Sequence, residues 1–113
     1  MEVNLQIEQS IISSLLWNYH LSKEEEQKIN SIFIDKNLFT DPFHRAIIET
    51  INDLRGKMYL IDEITVSDSL NKRNMMDFSK WLLINTQTAG GYLFITTYLK
   101  LLKQNKKSEV FDV

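Results

Sequence analysis

The sequence predicts an all-α fold, a compact orthogonal bundle of about six short helices. Three observations carry that expectation. Only three glycines and one proline interrupt 113 residues, so little in the chain breaks a helix. Apolar residues recur at three- and four-residue intervals in one segment after another. No segment alternates apolar and polar residues convincingly with the period of two that a half-buried strand requires. An apolar fraction of 43% with 25% charged residues is a globular composition, and the length suits one core.

The first helix is expected over residues 4–17, where Leu5, Ile7, Ile11, Ile12, Leu15 and Leu16 define one apolar face. Ser22 followed by Glu25 is a capping-box pattern, and Glu24, Glu25 and Glu26 place negative charge where a helix start favours it. A second helix therefore begins near Lys23, with Ile29, Ile32 and Phe33 on its buried side, and gives way to a polar turn at Asp35, Lys36 and Asn37. Asp41 and Pro42 mark the third start: an Asp cap, then proline at the first helical position, where its missing N–H costs nothing. Phe43, Ile47, Ile51 and Leu54 line that helix, Arg55 lies in its last turn, and Gly56 is expected to supply the left-handed residue that closes it.

Asp62 caps a short fourth helix reaching Asn71 and packed by Ile64, Val66 and Leu70. A fifth covers residues 76–84 with Phe78, Trp81 and Leu82, and a sixth covers residues 92–105 after a polar, glycine-ended connection. The helical domain thus spans residues 1–105, and residues 106–113 read as a C-terminal tail or truncated linker.

Several function classes fall away on composition. Without cysteine there is neither a disulfide framework nor a thiolate zinc site. No segment approaches the roughly 20 apolar residues of a membrane span, so a cytoplasmic protein without membrane contact is expected. A net charge of −2 argues against nucleic-acid binding, which draws its affinity from Lys and Arg on phosphates. The basic concentration of Lys100, Lys103, Lys106 and Lys107 is soon offset by Glu109 and Asp112 and reads as a solvated helix end.

Catalytic chemistry finds no foothold. His20 and His44 each lack a second ligand at helical metal spacing, so no metal site is expected. His44, beside Arg45 in the first turn of the third helix, reads as a partly buried residue that holds a turn through a hydrogen bond. Gly90 and Gly91 are not followed by the Gly-Lys-Ser/Thr of a phosphate loop and read as flexible helix-start geometry. The acidic run at Glu24 and the pair Asp62 and Glu63 read as solvated faces or caps. No catalytic residue and no cofactor are expected. Tyr92, Phe94 and Tyr98 lie among lysines on the last helix, a pattern that can stack bases, but the acidic balance favours packing or a protein interface. With Leu102 they exceed what one narrow core stripe needs, and the four form the candidate protein interface.

Three motifs give a more specific indication. Residues 4–16, NLQIEQSIISSLL, open with Asn-Leu-x-x-Glu-Gln at Asn4, Leu5, Glu8 and Gln9 and end on the paired Leu15 and Leu16. Residues 39–70 carry Phe-x-x-Pro-x-His-Arg-x-Ile at Phe39, Pro42, His44, Arg45 and Ile47, continue through Glu49, Ile51, Asp53 and Leu54, and reach Ile61, Asp62, Thr65, Val66 and Leu70. Asn85, Thr86, Thr88 and Ala89 then form a turn before the last helix. In this order and spacing the three stretches resemble the N-terminal domain of DnaB-type replicative DNA helicases. Two positions depart from the family pattern: Ser13 stands at a usual glycine and Gln87 at a usual proline. The second helix and residues 72–79 carry none of the likeness.

The resemblance implies a non-catalytic interaction domain in the collar of a hexameric helicase, where it supports subunit assembly and contacts with primase or a helicase loader. The motor domain that would make the parent an ATP-dependent DNA helicase is not in this sequence, and the helical hairpin that usually follows the domain stops after Lys107. A fragment of a helicase is expected, and alone it should be a monomer or weak homodimer. Two other readings compete: a stand-alone regulator that mimics the helicase head domain, and a helical DNA-binding protein.

Overall fold

The computed structural model describes residues 3–18 and 21–111, with 107–111 described by backbone alone. Six α-helices and one 3-10 turn make up the described residues, with no strand among them, so the fold is all-α.

Helix α1 (Val3–Leu16) is the axis around which the rest is laid. It packs against α3 (Pro42–Gly56), α5 (Phe78–Asn85) and α6 (Tyr92–Phe111). Ile7, Ile11, Ile12, Leu15 and Leu16 are buried as the spacing predicts, but so are Glu8, Gln9, Ser13 and Ser14. A helix enclosed by three others is buried around most of its circumference, and its polar residues there need internal partners.

Helix α2 (Lys23–Asn30) begins at its expected cap: the Ser22 hydroxyl accepts the Glu25 N–H at 3.2 Å. Ile29 enters the core, but the helix stops before Ile32 and Phe33. Beyond it the chain is not helical, and Ile32, Phe33 and Ile34 are half-buried, exposed and buried in turn. Phe33 therefore faces solvent and Ile34 replaces it inside, because side chains of a non-helical segment alternate sides. The guanidinium of Arg55 holds this end of α2, donating from Nη1 to the Ile32 carbonyl at 2.8 Å and from Nη2 to that of Ile29 at 3.3 Å. Asp35 then caps a 3-10 turn, Lys36–Leu38, which lies against α3 and α6.

Helix α3 starts on Asp41 and Pro42 and buries Phe43, Ile47, Ile51 and Leu54. Its end differs from the expectation. Gly56 is helical, and the left-handed residue is Met58, with φ 62°. Tyr59 N–H reaches the Leu54 carbonyl at 2.9 Å and Met58 N–H that of Arg55 at 3.0 Å, the paired bonds of a Schellman end. Helix α4 (Glu63–Lys72) closes in the same way on Asn74, φ 56°. At its start Asp62 and Thr65 exchange side-chain and backbone bonds in a full capping box. Val66 and Leu70 are buried; Ile64 is exposed, since 100° per residue puts it on the side away from both.

Helix α5 starts on an Asp77 cap, two residues later than expected. Ile84 is its buried residue and Trp81 is half-buried, whereas Phe78 and Leu82 are exposed. Helix α6 reaches Phe111, well past the expected end at residue 105. Its lysines are consequently not a helix end: Lys100, Lys103 and Lys106 line the flank of a continuing helix, and Lys106 Nζ donates to the Asn37 carbonyl. The side chains of Lys107 and Glu109, and residues His20 and Asp112, lie outside the described residues.

Candidate protein-interaction surface

The helices are positioned by a polar knot in the core. Glu8 of α1 is fully buried, and its carboxylate collects the Thr40 hydroxyl at 2.8 Å, the Thr40 N–H at 3.1 Å, the Asp41 N–H at 3.4 Å and His44 Nδ1 at 2.9 Å. Burial alone would raise the Glu8 carboxyl, but the bonds from His44, Thr40 and Asp41 outweigh it and hold its pKa below the ordinary value. An ionised carboxylate only accepts, so Nδ1 of the buried His44 carries the shared hydrogen. Asp41 extends the knot: one oxygen accepts the Phe43 and His44 N–H groups, and the other accepts Lys80 Nζ of α5 at 2.9 Å. Burial opposes ionisation of Asp41 as well, and the Lys80 bond, the neighbouring His44 and the cap bonds overcome it. His44 thus joins α1 to α3 and does more than hold its own turn.

A second set of bonds fixes the connection into α6. Ser13 donates its hydroxyl to the Gln87 carbonyl at 3.2 Å, Ser14 accepts the Gly90 N–H at 2.8 Å, and Trp17 Nε1 donates to Asn85 Oδ1 at 3.2 Å. Glu25 does not complete the expected capping box by turning back on α2; its Oε1 instead takes the Tyr92 N–H at 2.6 Å, at the start of α6. Neither Gly90 nor Gly91 has positive φ, so no left-handed conformation calls for glycine at either position. A Cβ on Gly91 would come within 2.6 Å of Glu25 Oε1, and one on Gly90 would collide with the Phe94 ring. The pair is small so that the α2 carboxylate and the Phe94 ring can approach this start.

The four residues of the candidate interface do not share a face. Leu102 is 3% exposed and belongs to the core with Ile95 and Leu99. Tyr92 lies on another flank, about 160° around the helix from Phe94. Phe94 and Tyr98 do meet, with ring centroids 4.3 Å apart, and both are half-buried. Tyr98 also borders an apolar groove whose other lining residues are not among the four. Leu93 is 76% exposed, and Leu101 joins Val3, Gln6, Ile7 and Tyr98 around a shallow groove of about 380 Å³ between α6 and α1. The spacing of Leu93, Thr97 and Leu101 at i, i+4 and i+8 is the sequence signal for this face; the conspicuous aromatics obscured it. Among the described residues, no three His, Asp or Glu side chains converge to hold a metal ion, and no helix is long and apolar enough to cross a membrane.

A family model described as the DnaB-like helicase N terminal domain matches residues 1–104. This chain belongs to that family. The likeness is to the helicase's N-terminal domain, a protein whose family setting is DNA replication. The fold of this DnaB-type head agrees with the crystal structure of the N-terminal domain of DnaB helicase from Mycobacterium tuberculosis, at a TM-score of 0.62 and 20% identity, over 87% of this chain and 67% of that one. A search of curated proteins gave no match. Within the DnaB-type head the three motif stretches are in direct contact: Glu8 of the first bonds His44 of the second, and Ser13 of the first reaches Gln87 of the third, with Trp17 just beyond the first bonding Asn85.

Proposed function

We propose that this domain is a non-catalytic interaction module of a replicative DNA helicase, supporting subunit assembly and contacts with primase or a helicase loader in the cytoplasm. The observation that carries the reading is the groove between α6 and α1, with Val3, Ile7, Tyr98 and Leu101 along it, which leaves Val3 64% exposed in the lone chain. Contiguous apolar surface rimmed by polar residues marks protein contacts. The polar groups of the knot, by contrast, satisfy one another: Glu8, His44 and Asp41 hold helices together and present nothing to a substrate.

Affinity capture of purified helicase, primase and loader by the domain tests this reading. Binding to at least one, lost in Val3→Asp, supports it. Salt-sensitive binding to duplex DNA with no protein bound would favour the DNA-binding alternative. The isolated domain is a monomer or weak dimer on this reading, because a stable interface usually buries roughly 1,200 to 2,000 Å² in total and the reading rests on a single shallow groove.

A further inference from the structure

The geometry points to a second docking site, formed by the exposed turn at residues 58–60 and the Arg55 guanidinium beside it, for a partner-protein segment that places an apolar side chain next to a carboxylate. The site shares no residue with the α6 face and stands independently of the reading given to that face.

The apolar half is the turn. Met58 is 92% exposed, Tyr59 60% and Leu60 58%, so three consecutive large apolar side chains stand in water where the α3–α4 connection could have been polar. Met58 adopts the left-handed conformation although glycine or asparagine would hold it with less strain, as Asn74 does at the corresponding position after α4. A strained residue that presents its side chain outward is an observation from which function is inferred.

The charged half lies in a cleft of about 340 Å³ that the turn overhangs, lined also by Asn18, Glu26, Asn30 and Arg55. Arg55 spends two of its five N–H donors on the Ile29 and Ile32 carbonyls, and its Nε is buried without a hydrogen-bond partner. No carboxylate pairs with it among the described residues, and burial pushes its pKa down, as expected for a cation withdrawn from water without an anion. A carboxylate is the group that a planar guanidinium of this kind receives best. Glu26 on the same wall repels a ligand anion, so the carboxylate is directed to the Arg55 side and the apolar neighbour to the turn. A phosphate backbone or lipid headgroup would meet three apolar side chains and Glu26, which makes the protein segment the better fit.

A random-peptide display library panned on the whole chain, with counter-selection on a Tyr59→Ser/Leu60→Ser variant, tests the site. Both positions are exposed, so that variant folds. The expected product is a set of peptides with Asp or Glu beside Leu, Met or Phe, whose binding shifts the amide NMR signals of residues 58–61. Exchanging the peptide's Asp for Asn weakens binding by about tenfold or more, a test of charge that leaves α2 and its Arg55 contacts untouched. Failure to enrich any peptide over the counter-selecting variant, acid-free peptides, or shifts on α6 alone would overturn the proposal. A loss of self-association in Tyr59→Ser/Leu60→Ser would likewise overturn it, by assigning the turn to a second copy of this chain.

Discussion

The Glu8 carboxylate and the His44 imidazole meet at 2.9 Å with essentially no solvent contact, 36 residues apart in sequence and on different helices. Removing one partner strands the other. His44→Ala leaves a buried anion short of its Nδ1–H donor, and Glu8→Gln leaves the Thr40 and Asp41 donors facing a neutral amide. Each substitution should destabilise the domain by about 2 to 5 kcal/mol. Urea unfolding followed by circular dichroism measures this, and a shift under about 0.5 kcal/mol would show the pair to be dispensable.

Acid should unfold the protein through the same knot. Glu8 and Asp41 both have folded pKa values below their ordinary 4.5 and 3.8. Groups shifted down contribute stability that is fully present above the unfolded values and is lost as pH falls through the folded ones. Stability should therefore be flat from pH 7 to about 5 and decline below that. Glu8→Gln should flatten the acid limb, which a series of thermal melts across pH would reveal; an unaltered slope would assign the acid sensitivity elsewhere.

Ser13 and Gln87, the two departures from the family pattern, touch each other through a hydroxyl-to-carbonyl bond at 3.2 Å. Gln87 also donates its own N–H to the Ile84 carbonyl, a bond that proline could not make. Ser13→Ala should cost about 1 kcal/mol for the bond. Ser13→Gly should cost about 1 kcal/mol more, because glycine inside a helix adds backbone entropy. Equal effects of the two would place the whole loss in the hydrogen bond.

Met58→Gly should stabilise the chain by about 1 kcal/mol, since glycine occupies the left-handed closing position without steric cost. Differential scanning calorimetry checks it. A lower melting temperature would mean that the Met58 side chain contributes contacts that outweigh its backbone strain.

Leu93 and Leu102 separate surface from core on one helix. Leu102→Ala should lose about 2 to 5 kcal/mol through cavity formation, whereas Leu93→Ala should change stability by no more than about 0.5 kcal/mol. Light scattering over a dilution series should show any self-association weakened by Leu93→Ala, and a constant hexameric mass at low micromolar concentration would move the assembly determinants elsewhere.

Features set by near neighbours along the chain are legible in the residue order alone. Helix starts at Ser22, Asp41 and Asp62 were legible because a cap bonds N–H groups two or three residues away. The apolar spacing of α1 and α3 marked most of the apolar residues that enter the core, with Leu5 of α1 only half-buried. Tertiary structure decided the rest. That Glu8 is buried depends on three helices surrounding α1, although its place between Ile7 and Ile11 could have marked it as a core carboxylate. Glu25 chose the start of α6 over its own helix once folding had brought the two together. Phe33, Ile64, Phe78 and Leu82 point outward because hydrophobicity names residues that can be buried, while the packing of neighbouring helices selects the ones that are. For the same reason Tyr92, Phe94, Tyr98 and Leu102 of α6 suggested one interface and the fold divided them among core, stack and surface: a helix with apolar residues on several sides does not reveal which side its neighbours will cover.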